Sequence, residues 1–310
     1  MQSTGSEELE ARRTRRAERR QKQREANFAR AQKMHHLRIE SGGIDASASL
    51  PTTRTFVGCS GWYYWHWAGR FYPEELPRNE WFFRYRREFR TVELNAPFYS
   101  WPTVAAVRAW LRQADGGFVY TVKVCELITH IQRFEDTREL VRDFGYIADL
   151  LGSHMGCFLY QLPPSFRYSP EALDAILKQL DPRHRNVVEF RHKSWWDDAV
   201  FRKFEAAGAI FCSVSGPRLR DALVKTADDV HVRFHGPTRW YRHDYSEVEL
   251  SDWAGRIGAC GAKRVWAYFN NDREANAVKN AHMLSQLLEK REDGRASPQS
   301  HSVEHVARSD

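Results

Sequence analysis

Hydrophobic and polar residues alternate in five short runs of this chain, and in each run the polar members gather toward one end. The runs are Thr91-Val92-Glu93-Leu94-Asn95, Thr121-Val122-Lys123-Val124, Val187-Val188-Glu189-Phe190-Arg191, His231-Val232-Arg233-Phe234-His235 and Trp266-Ala267-Tyr268-Phe269-Asn270. Successive side chains of a strand point to opposite faces, so Glu93 and Asn95, Glu189 and Arg191, and Arg233 and His235 are same-face pairs. The other parity is apolar throughout: Val92, Leu94, Val122, Val124, Val188, Phe190, Val232, Phe234, Ala267 and Phe269. A solvated surface strand scatters its polar groups along its length. Polar groups collected at strand ends predict a built site.

Candidate strands begin near Thr55, Arg90, Phe118, Cys157, Asn186, Ala209, Val230 and Arg264. Amphipathic stretches over 81–89, 104–113, 137–151, 171–180, 198–207, 247–259 and 275–288 fall between or after them. Ser169-Pro170 reads as a helix start, a capping hydroxyl followed by proline at the first helical position. The connection 215–227 is only weakly helical, so irregularity is expected around the sixth strand. Strand and helix repeated over about 235 residues predict a single (β/α)₈ TIM-type barrel. An open doubly wound sheet is the alternative, but the glycine-rich first turn that usually marks it is missing. In a barrel the apolar parity faces the helices, and the polar strand ends converge on the C-terminal mouth, where this fold places its active sites.

Charge separates off the N-terminus. The chain carries +7 overall, and its first fifty residues hold eleven Lys/Arg against seven Asp/Glu, which accounts for +4. Residues 1–52 are expected to form a charged extension and linker, disordered or a solitary solvated helix, because 7–33 has hardly any large apolar side chain to bury. The pairs Arg12-Arg13, Arg15-Arg16 and Arg19-Arg20 offer grips for phosphates, with plain solvation as the commoner role. The barrel is assigned to 53–290 and a disordered tail to 291–310. The body's small net charge gives no ground for a nucleic-acid partner by itself. Five separated cysteines with no CxxC predict reduced, mostly buried thiols and a cytoplasmic protein; no apolar run approaches a membrane span and no signal peptide opens the chain.

The candidate chemistry sits at the strand ends. Glu93, Glu189, Lys123 and His235 are the catalytic candidates. Arg191, Arg233, Trp62, Trp195, Gln161, Asn95, Tyr268, Asn270 and Asp272 are candidates for holding substrate. Paired carboxylates suit general acid–base work or a hard metal, and Arg offers a planar fork for carboxylate or phosphate. Trp62 and Trp195 follow strand ends directly and are expected as stacking platforms, whereas Trp65 and Trp67 are expected to pack under loops. A buried unpaired ion costs several kcal/mol, so each ion must be neutralised by another or await a ligand. His130, His192 and His235 could join the acids around a divalent metal, but no HExxH-like spacing supports one, and the cofactor is left open. A GxSxG elbow, a P-loop and a dinucleotide fingerprint are all absent.

The chain also resembles the YecE-like family, domain of unknown function 72. The likeness is carried by Val57-Gly58-Cys59-Ser60-Gly61-Trp62, Phe71-Tyr72-Pro73, the Glu93 run with Phe98-Tyr99, Lys123 with Ile128-Thr129-His130, and Gln161-Leu162-Pro163-Pro164. It continues through Glu189-Phe190-Arg191-His192-Lys193-Ser194-Trp195, Arg233-Phe234-His235-Gly236 and Tyr268-Phe269-Asn270-Asn271-Asp272. It spans roughly residues 55–290 and implies a TIM-type barrel without implying a reaction. From the residues, the leading expectation is a hydrolase-type enzyme acting on a phosphate-bearing ligand, a nucleotide or nucleic acid. The alternatives are a glycoside hydrolase using Glu93 and Glu189 and a non-catalytic module that binds an anionic ligand. Neither the reaction nor the oligomeric state is legible.

Overall fold

A computed structural model describes residues 4–42, 50, 52 and 54–296. Its centre is a barrel of eight parallel strands: β1 (Thr55–Cys59), β2 (Thr91–Leu94), β3 (Val119–Lys123), β4 (Met155–Gln161), β5 (Asn186–Glu189), β6 (Ile210–Ser215), β7 (Asp229–Phe234) and β8 (Arg264–Phe269). The hydrogen-bonded order is β1-β8-β7-β6-β5-β4-β3-β2, so seven of the eight joints are ladders. The eighth joint, between β1 and β2, is closed by a side chain. The Tyr85 hydroxyl accepts from the Cys59 N–H at 2.8 Å and donates to the Thr91 carbonyl at 3.0 Å. Gly58 is required there, because a Cβ would stand 2.4 Å from the Thr91 oxygen.

The outer layer contains α2 (Trp81–Glu88), α3 (Ala96–Tyr99), α4 (Val104–Gln113), α5 (Arg138–Leu151), α6 (Pro170–Gln179), α7 (Asp198–Ala206), α8 (Glu247–Ala259) and α9 (Asn276–Ala296). The Ser169 hydroxyl accepts from the Ala172 N–H at 3.1 Å and starts α6 as its sequence implied. The weakly helical stretch after β6 forms no helix and runs as turn and coil. Hence the irregularity sits where the sequence placed it. The parity argument holds: Val92, Leu94, Val122, Val124, Val188, Phe190, Val232, Phe234, Ala267 and Phe269 all pack in the apolar layer between barrel and helices. A second cluster, including Phe56, Val119, Leu159, Val187, Val214, Trp266 and Tyr268, fills the barrel interior. All five cysteines are free thiols, and four are buried.

The N-terminus departs from the expected solitary extension. A long helix, α1 (Thr4–Glu40), is solvent-exposed over residues 7–22 and then docks on the barrel. Asn27, Ala31 and Met34 are buried along one stripe. The Asn27 amide donates to the Tyr99 carbonyl at 3.1 Å and accepts from the Trp101 N–H at 2.9 Å. Arg38 reaches Asp143 at 2.9 Å and Glu139 at 3.1 Å on α5. Docking runs through hydrogen bonds to open backbone and through ion pairs, so a scarcity of large apolar residues did not preclude it. The linker and tail expected at 41–52 and 291–310 lie mostly outside the described residues, apart from α9, which is helical to Ala296.

Candidate functional site: an ion plug beneath the barrel mouth

The inward parity builds the site in two storeys. In the lower one, Tyr268 on β8 donates or accepts hydrogen bonds with the Thr91 and Thr121 hydroxyls at 2.7 and 2.8 Å. One inward position further along β2, β3, β4, β5 and β7 come Glu93, Lys123, Gln161, Glu189 and Arg233. Tyr268 is fully buried beneath them, burial pushes its phenol well above the usual value, and it cannot touch a ligand at the mouth. That removes it from the substrate-holding candidates.

Arg233 is the hub of the upper storey and has no solvent exposure. Its Nη2 donates to Glu93 Oε1 at 2.5 Å, and its Nη1 donates to Glu189 Oε2. The second Glu189 oxygen accepts from Arg191 Nε at 2.8 Å. Burial alone would raise the Glu189 carboxyl, yet the guanidiniums of Arg233 and Arg191 and the His235 hydrogen bond hold it well below the carboxylate range. Arg233 stays charged for the complementary reason, burial being outweighed by Glu189 and Glu93. Glu93 Oε2 meets no hydrogen-bond partner in the protein.

His235 completes this plug. Its Nε2 lies 3.3 Å from Glu189 Oε1, and its Nδ1 lies 3.3 Å from the Asn270 amide nitrogen. With its proton on Nε2 the neutral ring donates to Glu189 and accepts from Asn270 at Nδ1, while Arg233 Nη1 and Arg191 Nη2 stand 3.3 and 3.4 Å from the same Nε2. Burial, then Arg233 and Arg191, lower the imidazole to about 3, which keeps it neutral. Fully buried and neutral, His235 orients Glu189 and is badly placed as a shuttle to substrate.

Lys123 is the exception in this storey. It is 8 % exposed, and among the described residues no carboxylate comes within 4.0 Å of its ammonium nitrogen. That nitrogen lies 4.0 Å from the centroid of the Phe98 ring. Burial and then the charge of Arg233 push the amine down to about 7, against the pull of Glu189. Arg191, 11 % exposed, is the second group at the surface of the plug. Its Nη1 donates to the Tyr241 hydroxyl at 2.6 Å, and its guanidinium lies over the Trp240 ring at 4.8 Å. Beside Lys123 a single π-turn, Leu127–Ile131, presents His130, which burial and the charge of Lys123 lower to about 4.

The remaining candidates separate clearly. Trp195 is fully buried, stacked on Phe190 at 3.9 Å with its Nε1–H donating to the Phe166 carbonyl at 2.9 Å, so it is core and not a stacking platform. Trp62 is half-buried edge-on against Phe82. Trp67 is buried as expected, whereas Trp65 is 77 % exposed, contrary to its expected packing under a loop. Asn95 ties β2 to β1 by donating to the Ser60 carbonyl at 3.1 Å, and Gln161 donates to the Leu162 carbonyl at 2.7 Å. Asn270 and Asp272 line a rim cavity of about 600 Å³ with Tyr64, Trp240, Tyr241, Arg242 and Arg273. Burial raises the Asp272 carboxyl to about 6, although the Trp67 and His66 ring N–H groups, at 2.7 and 2.9 Å, oppose it. His192 bonds the Ser194 hydroxyl at 2.8 Å, and among the described residues it pairs with none of the acids of the set. Phe98 was visible in the sequence only as a motif member; its contact to Lys123, and that of Tyr241 to Arg191, show what the two rings do.

A metal at the mouth gains no support from the donor atoms. The described residues that bring three such groups within ligating distance are His35, Glu139 and Asp143, at the α1–α5 seam, where Arg38 already occupies both acids. Among the described residues no helix is long and apolar enough to cross a membrane.

Known proteins agree with the fold. The chain is 25 % identical over 270 residues to the UPF0759 protein YunF of Bacillus subtilis, covering 76 % of this chain and 94 % of that one. It is 30 % identical over 115 residues to the UPF0759 protein YecE of Escherichia coli, covering 36 % and 42 %. A DUF72 family protein from Thermotoga maritima superposes with a TM-score of 0.70 at 26 % identity, over 76 % of this chain and 100 % of that one. One from Enterococcus faecalis gives 0.66 at 18 %, over 76 % and 95 %, and supports the fold alone. Residues 56–303 match the family described as protein of unknown function DUF72, and to that family this chain belongs.

Proposed function

We propose that the barrel mouth is an active site for a small phosphate-bearing ligand, with Arg191 anchoring the anion and Lys123 as the group that changes protonation during the reaction. The observation that carries this reading is the imbalance of the upper storey. Arg233 and Arg191 are matched by Glu93 and Glu189, which leaves the Lys123 amine without a counter-ion. An anion is what the site lacks. Arg191 directs Nε at Glu189 and Nη1 at Tyr241, and its Nη2 lies 3.4 Å from His235 Nε2, which leaves one N–H on each terminal nitrogen for a phosphate.

Hydrolase-type chemistry on a nucleotide or nucleic acid fits this reading through Lys123, because a leaving oxygen needs a proton and the amine titrates near neutrality. The glycoside-hydrolase reading loses ground. It needs one carboxyl kept protonated and one facing the sugar, yet both glutamates are fully buried and clamped to one guanidinium. A non-catalytic anion-binding module would use the same Lys123 and Arg191 contacts and differ in showing no turnover with any phosphate ester.

Calorimetric titration of the full chain with inorganic phosphate and with adenosine monophosphate tests the reading. Binding should weaken as pH rises through 7, and Arg191→Met or Lys123→Met should each cost about tenfold or more, ~1.4 kcal/mol. Affinity unchanged in both variants would remove the mouth from consideration.

A further inference from the structure

We propose that Lys123 is a nucleophilic amine that condenses with the aldehyde or ketone group of a small phosphate-bearing substrate and forms a protonated imine at the barrel mouth. The proposal rests on the preceding reading of the mouth and adds the substrate's second functional group.

Three observations carry it. The first is the amine's company. Lysines buried in proteins ordinarily meet a carboxylate, and this one lies on the face of Phe98 with no carboxylate within 4.0 Å among the described residues. The two glutamates near it are held by Arg233, so they are not free to swing across and fix its proton. The second is placement. Lys123 ends β3 at the open end of the barrel and keeps 8 % exposure, so it is reachable while standing in a water-poor site. The third is the field. Arg233 and Arg191 stand in the same cluster, and a neighbouring cation together with an apolar pocket is what frees a lysine lone pair at neutral pH. The depression of this amine to about 7 is the consequence.

The Lys123 lone pair forms a bond to the carbonyl carbon, and the carbonyl π pair moves to oxygen, which takes the proton that nitrogen sheds. The resulting carbinolamine takes up one more proton from solvent and loses its oxygen as water, leaving a C=N⁺ bond to the substrate. Nothing is oxidised or reduced. The positive charge returns to nitrogen, where the substrate's phosphate would supply the counter-charge that the plug itself lacks. Arg191 would hold the phosphate through the N–H groups that Glu189 and Tyr241 leave open.

Trapping tests it on the full chain. The protein is incubated with dihydroxyacetone phosphate near pH 7.5, sodium borohydride is added to reduce any imine to a secondary amine, and the modified residue is located by peptide mass spectrometry. The expected result is one adduct per chain on Lys123, formed about tenfold or more faster than on Lys22, an exposed lysine of α1 that serves as the internal reference. Lys123→Met should lose that adduct. Dihydroxyacetone without the phosphate should label Lys123 more slowly, and Arg191→Met should erase the difference between the two probes. If dihydroxyacetone phosphate binds by calorimetry but borohydride fixes nothing on Lys123, the imine is wrong and the phosphate reading stands. If labelling of Lys123 is equal with both probes, the amine is nucleophilic and the phosphate reading fails. Labelling confined to exposed lysines, with no binding, overturns both.

Discussion

The molecule holds two sets of arginine–carboxylate contacts that look alike in a distance table and differ in what surrounds them. At the α1–α5 seam, Arg38 meets Asp143 and Glu139 with side-chain exposures of 16, 5 and 56 %. At the barrel mouth, Arg233 meets Glu93 and Glu189, and all three are at 0 %. Water and ions screen the Glu139 contact, worth roughly 0–1 kcal/mol, and reach the guanidinium that Asp143 holds. The second set has given up its hydration and is held by mutual need: removing one partner strands the others in the interior. The seam therefore fastens a helix weakly and tolerates change. The plug is a fixed charge template, and its rigidity keeps Lys123 from finding a counter-ion.

The largest effect that sharpens this contrast is Arg233→Met. It leaves the Glu93 and Glu189 carboxylates buried without their hub and should cost about 3–5 kcal/mol in urea unfolding. A loss under 1 kcal/mol would mean that water reaches the plug. Arg233 is for this reason a poor probe of ligand binding, and Arg191 a better one.

The second effect has the opposite sign. The Lys123 amine falls from 10.5 toward about 7 on folding, so between those values the unfolded chain binds a proton that the native chain does not. Stability from this group is therefore lowest below pH 7 and rises as pH increases toward 10. Lys123→Met should flatten that rise and stabilise the protein at pH 6 on the order of 3 kcal/mol, fading by pH 10. Equal stabilisation at both pH values would show that the amine is not destabilised by burial.

Smaller effects belong to the seam. Asn27→Ala removes one acceptor and one donor that meet the buried Trp101 N–H and the Tyr99 carbonyl, and should cost about 1–2 kcal/mol. Its signature is local: faster amide exchange in 23–38 with the barrel unchanged. Arg16→Ala, on the exposed part of α1, should stay within about 0.5 kcal/mol.

The same contrast explains what the sequence made legible. A period of two, with polar groups at strand ends, identified the mouth because one-residue parity dictates burial in a barrel: Glu93, Lys123, Glu189 and Arg233 meet for that reason. What alternation does not encode is depth. Tyr268 shares the parity of Arg233 yet sits in the lower storey, and nothing in its neighbours distinguishes the two heights. Trp195 follows a strand end, as a platform would, but the short turn Lys193–Trp195 folds it inward onto Phe190. The docking of α1 was invisible for another reason. Its contact stripe is written in Gln23, Asn27, Arg30, Ala31, Met34 and Arg38, mostly groups that also suit a solvated helix. Hydrophobic periodicity cannot report a surface made by hydrogen bonds to another segment's backbone.

The central claim is that, among the described residues, Lys123 is the ion of the upper storey that lacks a carboxylate within 4.0 Å. Its most direct test is an NMR titration of the protein carrying ¹³C at lysine Cε, with Lys123→Met to assign the signal. The account predicts one Cε resonance that titrates near pH 7, disappears in the variant, and moves to higher pH when phosphate is added. A Lys123 resonance that titrates above 10 with the other lysines, unaffected by phosphate, would contradict it.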